Sequence, residues 1–248
     1  MCRSFVLPAT ILIATAGVAQ VVNIEGRRFM NDSVPWTGYA DLRLNVAENT
    51  QRSTTFGLGG ALQHIRGKHR LFFINDLALS RVEDNDFLNT GFQHLRYNYA
   101  RDARWTGEAF AQTQYNKPLL LDLRATLGAG PRLRLVDLAG YRMYVGTALM
   151  AEYERATPGE VLFQGRSSSY LSVVVKLDAI ASITTVVYYQ PKLFDASDHR
   201  VAVEGGLLFT LVGRFTFESR INLLKDTEQP GMVPALSYSW NNRFGYRF

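Results

Sequence analysis

Sulfur chemistry is almost missing from this chain, which has a single cysteine, Cys2, in 248 residues. Cys2 stands too near the start to be a lipid-anchored cysteine, and it leaves with the segment that the amino terminus marks for removal. The mature chain therefore has no disulfide, thiolate metal site or cysteine nucleophile. Histidine is scarce as well. His64, His69, His94 and His199 are the four; none sits in a nucleophile motif, and no pair has metal-ligand spacing. Nowhere does the chain approach the roughly eighteen consecutive apolar residues that a membrane helix needs. Phosphate loops, calcium-loop patterns and clustered basic stripes are absent too, so no cofactor, metal or nucleic-acid partner is expected.

The amino terminus is well marked. Met1-Cys2-Arg3 supplies a short positive start, Phe5 to Ile13 is apolar apart from Pro8 and Thr10, and Gly17-Val18-Ala19 offers small residues before Gln20. This is the layout of a secretory signal peptide. Residues 1–19 are expected to be removed, 20–35 to form a periplasmic leader that includes Val22 to Phe29, and 36–248 to form one domain. The net charge of +5 and pI of about 9.4 are moderate. They fit anionic head groups or anionic solutes without choosing between them.

What the mature chain does have is alternation with a period of two. Trp36, Gly38, Ala40, Leu42, Leu44 and Val46 oppose Thr37, Tyr39, Asp41, Arg43 and Asn45. Trp105, Gly107, Ala109, Ala111, Thr113 and Tyr115 oppose Thr106, Glu108, Phe110, Gln112, Gln114 and Asn116. Leu119 to Ala129, Tyr141 to Tyr153, Val201 to Leu211 and Phe215 to Leu223 repeat the pattern. Each such stretch reads as a strand with two different surroundings. Breaks at 49–53, 66–69, 83–86, 101–104, 157–167, 191–198 and 225–230 read as turns, with the longer loops near 83, 157 and 191. The count comes to about twelve strands of roughly ten to fifteen residues, an even number as in bacterial outer-membrane barrels. The expected fold is an all-β, transmembrane, antiparallel up-and-down barrel. A soluble sandwich or inward-facing barrel also alternates, but long strands and many charged side chains on the polar face favour the membrane form.

The last strand strengthens this. Leu236, Tyr238, Trp240, Asn242, Phe244, Tyr246 and Phe248 alternate with small, polar and cationic residues, and the sequence ends on Phe248. It resembles the closing strand of outer-membrane barrels. That resemblance implies that Tyr246 and Phe248 form a signal for the barrel-assembly machinery. Leu95 to Tyr99, Glu108 to Gln112 with Gln114 to Asn116, Leu123 to Arg132, and Gly146 to Glu154 resemble the domain-of-unknown-function 481 family, a group of salt-induced or outer-membrane proteins. The resemblance implies an outer-membrane barrel and carries no catalytic residue or substrate. Gly130-Pro131 departs from a central strand and is expected to mark a bulge or strand end.

If the apolar face meets lipid and lipopolysaccharide, the polar face lines the lumen. Arg96, Glu108, Gln112, Gln114, Asp122, Arg124, Arg132, Arg134, Arg142, Glu152, Glu154, Glu218 and Arg220 are then an inward-facing charged and polar network. One reading has these groups paired and filling the lumen, since an unpaired buried charge is costly. The other has them lining a wet constriction that sorts solutes by charge. Excess arginine (Arg43, Arg124, Arg132, Arg134, Arg142, Arg220, Arg243 and Arg247) favours small anionic solutes in the second case. The expectation is a small porin-like channel or structural envelope protein of the outer membrane. The alternatives are an outer-membrane hydrolase acting on lipid or peptide and, third, a soluble all-β binding protein.

Overall fold

The computed structural model describes residues 34–48, 52–82, 85–156, 159–228 and 235–247. The expected signal peptide, the expected leader up to residue 33 and Phe248 lie outside them. Twelve strands follow in order: β1 (Trp36–Glu48), β2 (Arg52–Arg66), β3 (His69–Val82), β4 (Asn85–Ala100), β5 (Trp105–Asn116), β6 (Leu121–Leu138), β7 (Tyr141–Ala156), β8 (Glu160–Lys176), β9 (Ala181–Lys192), β10 (Asp195–Thr210), β11 (Phe215–Asp226) and β12 (Leu236–Arg247). Each pairs antiparallel with its sequence neighbour, and β1 closes on β12 at Tyr39–Arg247 and Ala40–Tyr246. Because the number of strands is even, β1 begins and β12 ends at the same rim, here called the terminal mouth. The opposite rim is the distal mouth.

Closure removes every sheet edge, so the backbone polar groups are satisfied around the ring. The side chains then divide by parity. Leu127 and Leu149 are each 66% exposed on the outside, whereas Glu152 and Arg166 on the same sheet are 1% exposed within. A soluble barrel shows the reverse. The outer surface carries Leu42, Leu58, Leu71, Phe73, Leu95, Leu171, Val187 and Ile221. Exposed aromatics gather toward both rims: Trp36, Tyr97, Tyr99, Trp105, Phe215 and Tyr246 at the terminal mouth, and Phe163, Tyr189, Phe194 and Tyr238 at the distal one. Rings that are apolar with a polar tip gain most at such boundaries.

Three local expectations are corrected. The connections near 83, 157 and 191 are short, because β8 starts at Glu160, β9 runs to Lys192 and β10 resumes at Asp195. The hairpin ladders continue through polar and glycine-bearing sequence that reads as loop, and the longest connection is 227–235. Gly130-Pro131 marks neither a bulge nor an end: β6 passes through it, with Gly130 opposite Glu108 and Pro131 opposite Gly107. Finally, Asp122 does not line the lumen. The 3-10 turn Lys117–Leu119 and the left-handed Leu120 lead into a register shift between Leu121 and Leu123. That bulge turns Leu121 inward, to 4% exposure, and leaves the Asp122 side chain 42% exposed, 3.8 Å from Arg155.

Candidate functional site

The site is the lumen, and its distal half is built around Arg200 on β10. The Arg200 guanidinium donates from Nη1 to both oxygens of Glu152 (2.8 and 2.7 Å), from Nη2 to Glu154 (3.1 Å) and from Nε to Asp226 (2.6 Å). These carboxylates belong to β7 and β11, so one cation ties together strands that are not all neighbours. Arg124 on β6 donates to Glu154 at 2.7 and 2.8 Å. Arg166 on β8 donates to Glu152 at 3.3 Å and to Asp198 at 2.7 Å, and Gln164 adds a bond to Glu152. Lys192 stands 3.6 Å from Asp198. Arg124, Arg166, Arg200 and Lys192 face Glu152, Glu154, Asp198 and Asp226, four charges against four. Such balance is what burial demands, since a charge taken from water without a partner costs several kcal/mol (about).

Nearer the terminal mouth a second cluster centres on Glu108. It accepts from Arg96 at 3.0 Å and from the Tyr170 hydroxyl at 2.7 Å, while Arg132 lies 3.5 Å away. Arg132 also donates to the Tyr170 oxygen (3.2 Å) and lies 3.8 Å from the Tyr144 ring centroid, a cation–π contact. Gly146 makes this possible. A Cβ there would stand 2.3 Å from the Tyr170 ring, which crosses the lumen wall at this point to reach Glu108. From Arg96 the chain of bonds runs through His94 and Gln112 to Gln114. Arg220 forms a third group with Glu204 and Glu218.

At the terminal rim the lining becomes cationic and half-exposed. Arg134 and Arg142 flank Asp137 at 2.5 and 3.2 Å. They border a cavity of about 210 Å³ that Lys68, Arg70, Arg104 and Arg132 also line. Asp102, in the turn at 101–104, accepts from the backbone N–H groups of Trp105 (2.9 Å) and Arg104 (2.8 Å). Those bonds hold its carboxyl below the usual carboxylate range.

The lumen is not wholly polar. Ala61, Phe72, Ile74 and Phe92 form one buried apolar cluster, and Leu119, Tyr170, Val186, Tyr188, Ala202 and Leu224 form another. Their sequence signature is a run that is apolar on both faces, Leu71-Phe72-Phe73-Ile74 in β3 and Val186-Val187-Tyr188-Tyr189 in β9, where alternation disappears.

Of the residues expected inside, Arg96, Glu108, Gln114, Arg124, Arg132, Glu152, Glu154 and Arg220 are buried. Gln112 and Glu218 are partly buried, and Arg134 and Arg142 stand at the mouth. Asp122 lies outside the network. Tyr246 faces outward against Phe215 at 5.5 Å, and Phe248 is outside the described residues. The side chains of Arg43, Arg243 and Arg247 are outside them too. Sequence reasoning missed Arg166, Asp198, Arg200 and Asp226, and put Glu204, which is 4% exposed, on the polar face of its strand without naming it in the network. Arg166, Asp198 and Asp226 sit in stretches whose composition reads as turn.

The histidines are held by other groups. His94 bonds Gln112 and Arg96, His69 bonds the Tyr97 hydroxyl, His64 stacks on Trp36, and His199 bonds the carbonyls of Ala196 and Ser197. No group of three or more metal-ligating side chains occurs among the described residues.

No curated protein matches the sequence. Among solved structures, the NanC porin is similar at 10% identity, covering 86% of this chain and 95% of its own, with a TM-score of 0.49. The translocator domain of the autotransporter NalP from Neisseria meningitidis is similar at 9% identity, covering 86% of each chain, with a TM-score of 0.48. The KdgM porin is similar at 6% identity, covering 86% of this chain and 98% of its own, with a TM-score of 0.40. At such identities and scores, none of these proteins' functions transfers to this chain. The sequence itself is more specific: over residues 40–232 it matches the family described as "Protein of unknown function, DUF481", and the chain belongs to that family.

Proposed function

We propose that this protein is a porin-like outer-membrane barrel whose lumen rests closed and which passes small anionic solutes when its charge network loosens. The observation that supports the reading is the burial of inward side chains all round the ring. Each strand contributes at least one buried inward residue: Thr37, Gln63, Ile74, His94, Glu108, Arg124, Glu152, Arg166, Val186, Arg200, Asn222 and Ser237, in strand order. Support for the location comes from the apolar exterior with aromatics at both rims, since a closed barrel is one of the two structures that can cross hydrocarbon. Its surroundings are then outer-membrane lipid and lipopolysaccharide, reached through the barrel-assembly machinery. The preference for anions follows from the cationic terminal mouth, because a charged vestibule concentrates the opposite ion.

Single-channel recording in planar bilayers tests this. The protein is expected to be silent for most of the record, with brief, small openings that are anion-selective. A variant with a loosened network, Glu152→Gln, is expected to open more often. A large steady conductance in the unaltered protein, or cation-selective openings, contradicts the reading.

A further inference from the structure

The cavity at the terminal mouth is rich in cationic side chains. Its lining brings together Lys68, Arg70, Arg104, Arg132, Arg134 and Arg142. Among the described residues the acids near them are Asp102, Asp137 and Glu108, so six cations meet three carboxylates. Asp102 stays ionised, its Oδ1 accepting from the two backbone N–H groups that close the turn, and offsets part of this charge beside Lys68 and Arg101. A second observation is independent of charge. Asn98, 7% exposed, lines the same cavity, and its side-chain oxygen has no hydrogen-bond partner. A side-chain amide can be turned over to offer its NH₂ instead, and a buried polar group of this kind calls for a partner.

The geometry points to a binding site for a small soluble oxyanion, a phosphate- or carboxylate-bearing solute entering from the rim where β1 begins and β12 ends. Guanidinium forks match the paired oxygens of both groups. The volume of about 210 Å³ is below that of pockets for drug-sized ligands and suits a compact polyanion. A lipid head group shares the chemistry, but Arg132 and Asn98, 4% and 7% exposed, face the lumen and not the lipid surface. The inference deepens the anion part of the reading above and rests on it for a mouth open to water. Its test reads binding and not passage, so the two fail separately.

Calorimetric titration of the folded full-length protein in zwitterionic detergent, with pyrophosphate as probe, decides it. One saturable site per chain is expected, weaker at about 0.3 M salt than at low salt. The variant K68A/R104A, altered only in turns, is expected to bind about tenfold more weakly or worse, and K68R/R104K, which keeps both charges but moves the guanidinium fork, to recover most of that loss. Folding of each variant is checked by its heat-dependent migration on gels. Absence of saturable binding, or equal affinity in K68A/R104A, overturns the site. Binding confined to micelles doped with phosphatidylglycerol, with none to pyrophosphate, overturns the soluble source.

Discussion

The two halves of the lumen obey different electrostatic rules. In the distal half, Arg124, Arg166 and Arg200 are at most 7% exposed and their charges are matched by carboxylates. At the terminal mouth, Arg134 and Arg142 have side chains 31% and 36% exposed, and cations outnumber acids among the described lining residues. Burial explains the contrast. Water tolerates an unmatched guanidinium, whereas a dehydrated interior does not. On the proposed function, the balanced half is where the barrel is held shut, and the cation-rich half is where a solute would meet charge.

The sharpest break of this comparison is to remove one arginine from each half. Arg200→Leu leaves Glu152, Glu154 and Asp226 without their shared cation, and a loss of about 3–5 kcal/mol in unfolding free energy is expected. Arg134→Ala, at the wet rim, is expected to cost less than about 1 kcal/mol. Urea unfolding in detergent, followed by intrinsic fluorescence, reads both. Equal losses would mean that the two halves do not differ in hydration. The replacement of Gly146 by valine comes next. Its side chain would collide with the Tyr170 ring, detach the hydroxyl from Glu108 and destabilise by about 1–3 kcal/mol, an effect that the same unfolding experiment resolves from that of Arg134→Ala.

The smallest effect is one of pH at the mouth. Asp102 has a folded pKa below its unfolded value, so the stability it contributes is fully present above the unfolded carboxylate pKa. It is lost as pH falls through the lowered folded value. The unaltered protein and Asp102→Asn are thus expected to differ slightly in thermal midpoint at neutral pH and to converge at acidic pH. A difference that persists in acid would assign the effect to something other than the carboxylate.

Much of this was legible in the sequence, because alternation with a period of two reports the two surroundings of a strand directly. β5, β6, β7, β11 and β12 show it over most of their length, and the strand number and inward parity of Glu108, Arg124, Glu152 and Arg220 follow from it. Legibility ends where parity breaks or both faces are alike. The bulge before Leu123 reverses Asp122 and Leu121, and a bulge has no compositional mark that period counting detects. Ile74 and Val186, fully buried in the lumen, hide in runs apolar on both sides. Arg166 and Asp198 lie near the distal rim, where polar residues serve strand and turn equally well, so composition alone does not separate a closing ion pair from a loop. What pairs with Arg200 could not be read at all, since the bonds to Glu152 and Glu154 depend on how the ring closes.

The account depends on the apolar face being the outer one, in contact with hydrocarbon. Trp36, Trp105 and Trp240, the three tryptophans, are all on that face and 58%, 45% and 69% exposed. Reconstitution into bilayers with brominated acyl chains measures this directly, by quenching of tryptophan emission. Strong quenching is predicted, greatest for bromines at the depth of each ring, with little effect of aqueous acrylamide. Emission indifferent to brominated lipid but readily quenched by acrylamide would contradict the account.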